Sequence, residues 1–163
     1  MREIPLTNSS KMAIVDDEDF ERVAQYSWYE DVGACTSYVA SRDVIKGQQV
    51  RLHRFVLGLD VDDSLEVDHR NNNGLINNKD NLRVCSHAQN CANSNHGVGE
   101  SGYRGVHLNS RGKYVAKITV NFKQMYLGSF NDVVSAAKAY DEAAIKHFGE
   151  FARPNFVVDA AGA

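Results

Sequence analysis

Asp68 and His69 are adjacent in the chain and bring together a carboxylate and an imidazole. The carboxylate is a suitable ligand for a divalent cation, and an imidazole, which titrates near neutral pH, can take a proton from water. A loop rich in asparagine and glycine follows at 71–74, and Asn81 and Asn90 come after it. This pattern predicts a site for metal-assisted hydrolysis.

The same residue types also have a simpler interpretation. Asparagine, aspartate and glycine are the residues that turns prefer, and a histidine beside them can lie on the surface without a chemical role. Taken one at a time, the residues fit that interpretation better. Their combination, in this order and with a strand-like run before them, favours the hydrolytic site.

The elements that must position these residues are short. Residues 2–59 alternate apolar runs with acidic turns, which predicts strand pairs and one short helix. The run at 53–58 predicts a brief helix ended by glycine. The acidic run at 16–19 lacks the glycine and the spaced oxygen ligands of an EF-hand calcium loop, so we interpret it as a solvated turn.

The second half of the chain predicts a different arrangement. Small polar residues without periodicity at 93–101 predict a linker. Three β-rich runs, at 103–108, 114–121 and 124–130, predict an antiparallel meander. Apolar residues then recur at helical spacing from Val133 to Phe148, behind a predicted N-cap at 131–132. One amphipathic helix should therefore cover a three-stranded sheet.

Composition restricts the class of protein. The 163 residues suffice for one ordinary domain or two small ones, and 43% hydrophobic with 24% charged residues is typical of a globular protein. No apolar run of about 18 residues and no apolar signal core is present, so we expect a cytoplasmic protein with no membrane partner. Cys35, Cys85 and Cys91 form no C-x-x-C pair, which predicts reduced thiols.

The net charge of −3 conceals an asymmetry along the chain. Residues 1–100 hold 10 Lys/Arg against 16 Asp/Glu, whereas residues 101–156 hold 8 against 4. Between 101 and 130 there are five basic residues and no acidic residue. This distribution predicts a surface in the second half that faces a polyanion.

The first hundred residues resemble the HNH endonucleases of the phage and intron-associated homing type. In that family two short strands and a helix surround one metal ion. Asn90 takes the place of the family's final histidine, which implies an H-N-N variant. The resemblance is carried by Ile4–Thr7, Val15–Asp19, Tyr26–Trp28, Leu52–Arg54, Val67–His69, Asn81–Arg83 and Gln89–Asn90.

This resemblance implies a role for each matching residue. Asp68 and Asn90 would be metal ligands, His69 the general base, and Asn81 the residue that ties the loop between the strands and orients His69. Carboxylate and amide oxygens are hard ligands, which favours Mg²⁺ or Mn²⁺ over Zn²⁺. The products would carry a 5′-phosphate and a 3′-hydroxyl.

Basic residues near Asp68 and His69 are predicted to hold the DNA backbone. Arg54, Arg70 and Arg83 would clamp phosphates near the site. The role of His53 stays open between core packing, support of the site and direct phosphate contact.

Residues 102–156 resemble the Apetala-two/ethylene-response-factor DNA-binding domain. The motifs are Tyr103–Val106, Gly112–Ile118, Tyr126–Phe130, Ala136–Ala144 and Gly149–Phe156. The resemblance implies a sheet that lies in the major groove of DNA. Plant members of the family have arginine where this chain has His107, Thr119 and Gln124. The base preference of the plant members therefore does not transfer to this chain. The residues implied to contact DNA are Arg104, Tyr114, Lys117, Thr119, Gln124 and Tyr126 on one sheet face, with Arg111 and Lys113 in the first hairpin.

Together these observations and the two resemblances predict an α+β protein, and the phage-type resemblance implies a bacterial or phage-infected cell. Residues 1–92 would form a ββα-metal HNH nuclease module, with its catalytic core at about 50–92. A linker at 93–101 would lead to a three-stranded antiparallel sheet packed on one helix at 102–156, and a tail at 157–163 would follow. The expected function is that of a site-directed, homing-type DNA endonuclease whose partner is double-stranded DNA.

Two alternatives stay open at this point. The chain can be a DNA-binding transcriptional regulator whose HNH portion is an inactive scaffold, or a structural or interaction protein without a nucleic-acid role. We expect no obligate protein partner. Nicking by a monomer and double-strand cleavage by a dimer are both compatible with the sequence.

Overall fold

The computed structural model describes residues 1–33, 36–60, 64–93 and 98–156. Contacts divide the chain into two compact units, Met1–Ser86 and His87–Ala163. This division groups residues 87–92 with the second unit, whereas the sequence assigns them to the first module. The predicted domain limits stay a prediction. The predicted tail, residues 94–97 of the predicted linker, and Cys35 lie outside the described residues.

The first unit mixes short helices with small antiparallel sheets, in agreement with the predicted α+β class. The elements are β1 (Arg2–Pro5), β2 (Met12–Val15), α1 (Asp17–Val23), β3 (Tyr29–Val32), β4 (Ser37–Ile45), β5 (Gln48–Arg51), α2 (Leu52–Leu57), β6 (Glu66–His69) and β7 (Leu82–Cys85). Among the described residues, β1 pairs with β2, β6 pairs with β7, and the order β3-β4-β5 forms a three-stranded sheet.

Trp28 lies in the core of the first unit. Its indole is almost fully buried, and its Nε1 donates a hydrogen bond to the carbonyl of Val23 at 2.9 Å, so the polar atom of the ring is satisfied. Leu52 of α2 belongs to the same core cluster. Val67 and Leu82 add apolar side chains from β6 and β7. The strand pair that carries Asp68 and His69 is therefore anchored to the core.

Helix α2 confirms the predicted brief helix that ends at a glycine. It ends at Gly58, whose φ of 67° lies in the left-handed region that glycine adopts readily. The Gly58 amide donates to the carbonyls of Arg54 and Phe55 and so satisfies the last turn. His53 lies on the buried side of this helix.

The acidic run at 16–19 begins helix α1, and the interpretation as a solvated turn is wrong for Asp19. Asp19 is buried and forms ion pairs with Arg22 at 2.6 Å and with Lys79 at 3.2 Å. Carboxylates in the first turn of a helix also interact favourably with its dipole. The amide of Lys79 donates to Asp16 Oδ2 at 2.7 Å, which joins the loop between β6 and β7 to the start of α1.

The second unit contains the predicted antiparallel meander, with the strand order β10-β9-β8. Asp132 caps the covering helix, because its carboxylate accepts a hydrogen bond from the Ser135 amide at 2.8 Å. Ala136, Ala137 and Ala144 of this helix are buried, as predicted. The elements are α3 (His87–Asn93), β8 (Val106–Leu108), β9 (Tyr114–Val120), β10 (Lys123–Phe130), α4 (Val133–Phe148) and a 3-10 turn at Gly149–Phe151.

Strand β8 is shorter than the predicted run at 103–108 because Gly105 interrupts it. Gly105 has a φ of 70°, and a Cβ atom at this position would lie 2.1 Å from the Tyr140 ring and 2.6 Å from the Lys117 carbonyl oxygen. Only a glycine allows the chain to approach helix α4 this closely. The strand therefore begins at Val106.

Two further expectations concern thiols and membranes. Cys85 and Cys91 are free thiols, as predicted. Among the described residues, no helix has the length and apolar character needed to cross a membrane.

Candidate functional site

The antiparallel pair of β6 and β7 positions the predicted catalytic residues. Its register places Asp68 opposite Arg83 and His69 opposite Leu82. Asp68 and His69 are both buried, with exposed fractions of 4% and 5%. A carboxylate and an imidazole in such a position need polar partners within the fold.

Asp68 forms a buried ion pair with Arg83. The Oδ2 atom of Asp68 accepts hydrogen bonds from Arg83 Nε at 2.7 Å and from Arg83 Nη2 at 2.6 Å. The two residues face each other across the strand pair, which explains why the guanidinium reaches this oxygen. The structure therefore places Arg83 inside the unit, beside the predicted metal ligand, and its contact with phosphate stays a prediction.

His69 is held by Asn77, a fully buried residue that sequence reasoning missed. His69 Nε2 lies 3.3 Å from Asn77 Oδ1, and Asn77 Nδ2 donates to the Gly74 carbonyl at 3.2 Å. An amide oxygen only accepts hydrogen bonds, so the tautomer of His69 that fits this contact carries its proton on Nε2. In this tautomer Nδ1 is the nitrogen that can accept a proton.

Strand β2 fixes the position of Asn77. The Asn77 amide donates to the Ile14 carbonyl at 2.7 Å, and the Ile14 amide donates to the Leu75 carbonyl at 2.8 Å. The loop after His69 is therefore attached to the first hairpin of the chain. The only sequence signal for Asn77 was its place in an asparagine-rich loop, which does not distinguish it from its neighbours.

The surroundings of His69 favour the neutral imidazole. Burial lowers the pKa of His69, while the hydrogen bond with Asn77 and the charge of Asp68 raise it in part. A general base must be unprotonated before it can take a proton from water. The net direction of the shift therefore suits His69 to that role at neutral pH.

His53 packs directly against His69. Their ring centroids lie 5.1 Å apart at an interplanar angle of 79°, and Tyr38 contacts both rings, with centroids 5.6 Å from His53 and 5.8 Å from His69. Burial lowers the pKa of His53 well below its usual value, and the nearby His69, Arg51 and Arg54 lower it further. A buried, neutral ring in this position favours support of the site over direct phosphate contact.

The pH dependence of stability tests the neutral state of His53. Below about pH 6.5 the unfolded imidazole gains a proton that the folded one resists, so the free energy of unfolding falls as pH decreases. We expect this fall to be steeper in the wild type than in His53→Gln, by up to about 1.4 kcal/mol per pH unit. Chemical unfolding between about pH 8 and about pH 5 measures both slopes. Equal slopes would show that His53 titrates normally in the folded protein.

Asn81 connects distant parts of the loop between β6 and β7. Its Oδ1 accepts from the Asn71 amide at 3.1 Å, and its Nδ2 donates to the Ile76 carbonyl at 2.7 Å. Its backbone carbonyl also accepts from the Arg70 amide at 2.9 Å. Asn81 thus spans the loop that carries Asn77, whereas its catalytic role stays a prediction.

Gly74 sits where this loop meets strand β4, and no side chain fits there. A Cβ atom would lie 2.2 Å from the Ser37 carbonyl oxygen and 2.9 Å from Tyr38 Cδ1. We expect Gly74→Ala to lower the free energy of unfolding by about 1–3 kcal/mol, because the loop must move away from β4. Gly99→Ala is the matched control, since nothing lies within 4 Å of a Cβ atom at that position. Chemical denaturation compares the two, and equal stabilities would contradict the close approach.

The two remaining arginines predicted at phosphates differ in their surroundings. Arg54 Nη1 donates to the Leu65 carbonyl at 2.7 Å, and its Nη2 donates to the Asp60 carbonyl. Arg70 is exposed and directly follows His69. Arg70 is therefore the better placed of the two for contact with a polyanion beside the site.

In the second unit, cross-strand pairing brings four predicted DNA-contacting residues to one sheet face. Thr119 lies opposite Gln124, and Lys117 lies opposite Tyr126. Side chains directly opposite each other in an antiparallel pair share a face. Ile118, between Lys117 and Thr119, points to the other face and packs against helix α4.

Tyr114 and Arg104 do not share that face, so this part of the predicted surface is corrected. Tyr114 packs against the core cluster that contains Ala116 and Val106, because residues at even positions of β9 face the helix. Arg104 is buried, and its charge partly offsets the rise that burial causes in the pKa of Tyr140, a buried residue of helix α4. The turn residues Arg111 and Lys113 are exposed, as a phosphate contact requires.

An uncharacterized HNH endonuclease of Acanthamoeba polyphaga mimivirus is 31% identical to this chain over 147 residues, which cover 88% of this chain and 74% of the viral protein. The chain belongs to the HNH endonuclease family. The predicted membership is confirmed at this level, whereas the H-N-N variant stays a prediction. No family model matches the chain.

This HNH endonuclease family member is also similar to plant proteins over about a third of its length. The dehydration-responsive element-binding protein 2A of Oryza sativa subsp. japonica is 46% identical over 56 residues. The AP2-like ethylene-responsive transcription factor TOE2 of Arabidopsis thaliana is 46% identical over 59 residues. The matches span 20% and 12% of these two plant proteins.

Asn90, which the resemblance assigns to the family's last histidine position, lies half-buried on helix α3 in the second unit. Its role as a metal ligand stays a prediction. Within the described ranges, no group of three or more His, Cys, Asp and Glu side chains is arranged to hold a metal ion. The role of Asp68 as a metal ligand therefore also stays a prediction.

Proposed function

We propose that this chain is a site-directed DNA endonuclease of the homing type that hydrolyses phosphodiester bonds with a divalent metal and a histidine base. The main support for the proposal is a neutral, oriented His69 that directly follows Asp68 in a member of the HNH family. Each residue has a distinct chemical property that the reaction needs.

His69 would take the proton of the attacking water. Asn77 holds the protonated Nε2, so Nδ1 is the accepting atom. The neighbouring Asp68 carboxylate favours the imidazolium that forms, because an opposite charge stabilises a cation in a buried site. His53 and Tyr38 would keep the imidazole in place through ring contacts on its sides.

The residues fit a hard divalent cation such as Mg²⁺ or Mn²⁺. Mg²⁺ is commonly bound by one or two carboxylates together with substrate phosphates, and Asp68 offers such a carboxylate. Asn90 is the second ligand that the family resemblance suggests. When bound, the cation would stabilise negative charge on the leaving oxygen. The Asp68 carboxylate also forms the ion pair with Arg83.

Target selection is assigned to the basic sheet of the second unit. Lys117, Thr119, Gln124 and Tyr126 share one face, and β-strands can enter the major groove of B-DNA. The partial similarity to plant proteins named for element binding and transcription supports this assignment. Residues 102–156 would then choose the site, and residues 1–92 would cut it.

Incubation of the full chain with supercoiled plasmid tests the proposal. We expect nicked or linear plasmid to form in the presence of Mg²⁺ or Mn²⁺ and the reaction to stop when EDTA is added. Nicked circles alone would indicate cleavage of one strand per encounter. Plasmid that is bound with salt-dependent affinity but stays supercoiled with both metals would favour the alternative, a DNA-binding regulator with an inactive nuclease scaffold.

A further inference from the structure

Phe122 stands exposed at the tip of the hairpin between β9 and β10. Its exposed fraction is 85%, the highest among the large apolar side chains that the structure describes. The His87 ring lies nearly parallel to it, at 18°, with centroids 6.3 Å apart, yet this contact leaves Phe122 accessible. Burial in a core therefore does not account for an aromatic residue at this position.

The backbone at the hairpin tip is also unfavourable for phenylalanine. Val120 and Lys123 pair directly, so Asn121 and Phe122 form a two-residue turn, and their φ angles are 48° and 62°. Two positive φ values define a type I′ turn, whose second position favours glycine because a Cβ atom is crowded there. Glycine would serve the fold better than the residue that is present.

The charges around the turn suit a polyanion. The stretch from 101 to 130 contains five basic residues and no acidic residue, and the four acidic residues of 101–156 all lie at 132 or later, in the cap, helix α4 and the turn that follows. Lys123, next to Phe122, is exposed. Phe122 thus lies within the basic stretch at 101–130, and the acidic residues of 101–156 all come later in the chain.

We propose that Phe122 stacks on a base of bound DNA, at a step where that base is unpaired or easily unstacked; this inference rests on the proposed function. Basic groups attract the phosphates, and an aromatic ring offers a face to any base, whatever its identity. Apolar side chains that enter a base step also favour DNA that deforms readily. Phe122 would therefore make the protein bind duplex DNA more tightly where one base step is opened, whereas the sheet itself would bind paired DNA.

Two synthetic duplexes that differ by one unpaired base test this inference. Fluorescence anisotropy with the full chain in EDTA, which prevents cleavage, gives the affinity for each duplex. We expect the wild type to bind the duplex with the unpaired base at least about 5-fold more tightly. Phe122→Gly should lose this preference and keep the affinity for the paired duplex, whereas Phe122→Trp should retain the preference.

Stability and a matched control separate stacking from a structural role. Phe122→Gly should unfold at the same or a higher temperature than the wild type, because it removes the crowded backbone. Leu108→Ala removes an apolar side chain that is 58% exposed on the same sheet and lies at a helix-side position, and it should leave both affinities unchanged.

Several results would overturn the inference. Equal affinity of the wild type for the two duplexes would do so, and so would an unchanged preference in Phe122→Gly. A lower unfolding temperature with weaker binding to both duplexes would assign Phe122 a structural role instead. If the wild type bound neither duplex, the proposed function itself would fail.

Discussion

His69→Ala should reduce the rate of DNA cleavage by about 10²- to 10⁴-fold, the usual contribution of a general base. The side chain is the proton acceptor in our proposal, and its Nε2 is already engaged by Asn77. Binding to duplex DNA should persist, because it depends on the second unit. Single-turnover cleavage of a labelled duplex with Mg²⁺, alongside a binding titration, measures both effects.

His147→Ala is the matched control for this substitution. His147 is an exposed histidine in the last turn of helix α4, and its removal should change neither cleavage nor binding. Cleavage by His69→Ala at the wild-type rate would contradict the assignment of the base. Loss of DNA binding in His69→Ala would contradict the division of labour between the two units.

Arg83→Met should lower the free energy of unfolding by about 3–5 kcal/mol, because it leaves Asp68 buried without its cationic partner. Asp68 and Arg83 are almost fully buried, so solvent screens this pair little. Chemical denaturation in EDTA measures the loss without a contribution from bound metal. The double variant Asp68→Leu, Arg83→Met should recover much of the stability, because it removes both charges.

Arg42→Met provides the comparison for a surface arginine. Arg42 is exposed on strand β4, and its replacement should change the free energy of unfolding by no more than about 0.5 kcal/mol. If Arg83→Met lowered the free energy of unfolding as little as Arg42→Met, the ion pair with Asp68 would not be the buried contact that the structure describes.

Local patterns in the sequence predicted the second unit well. Alternating strands, a helix cap at Asp132 and a run of small helical residues each depend on neighbours within a few positions. Short-range chemistry also predicted helix α2 and its glycine end at Gly58. These features need little information about residues that are distant in the chain.

Long-range contacts account for what the sequence did not show. Asn77 acquires its role because its loop folds back onto Ile14, more than sixty positions earlier in the chain. Arg83 turns inward because the register sets it opposite Asp68. Neither contact follows from residue type or spacing.

The orientation of the Tyr114 side chain shows what a family resemblance could not predict. Tyr114 and Lys117 are three positions apart on one strand, so they point to opposite faces. The family resemblance placed them together, whereas packing against Ala116 and Val106 places Tyr114 on the helix side. A resemblance transfers a motif more reliably than it transfers the orientation of each side chain.

The most direct test of the proposed function is to incubate the full chain with a pool of random duplexes and Mg²⁺ and to sequence the cut ends. We expect cleavage at a restricted set of sequences, with 5′-phosphate and 3′-hydroxyl ends, and no cleavage by His69→Ala in the same pool. Intact duplexes after incubation with the wild type, in conditions where the protein binds them, would contradict it.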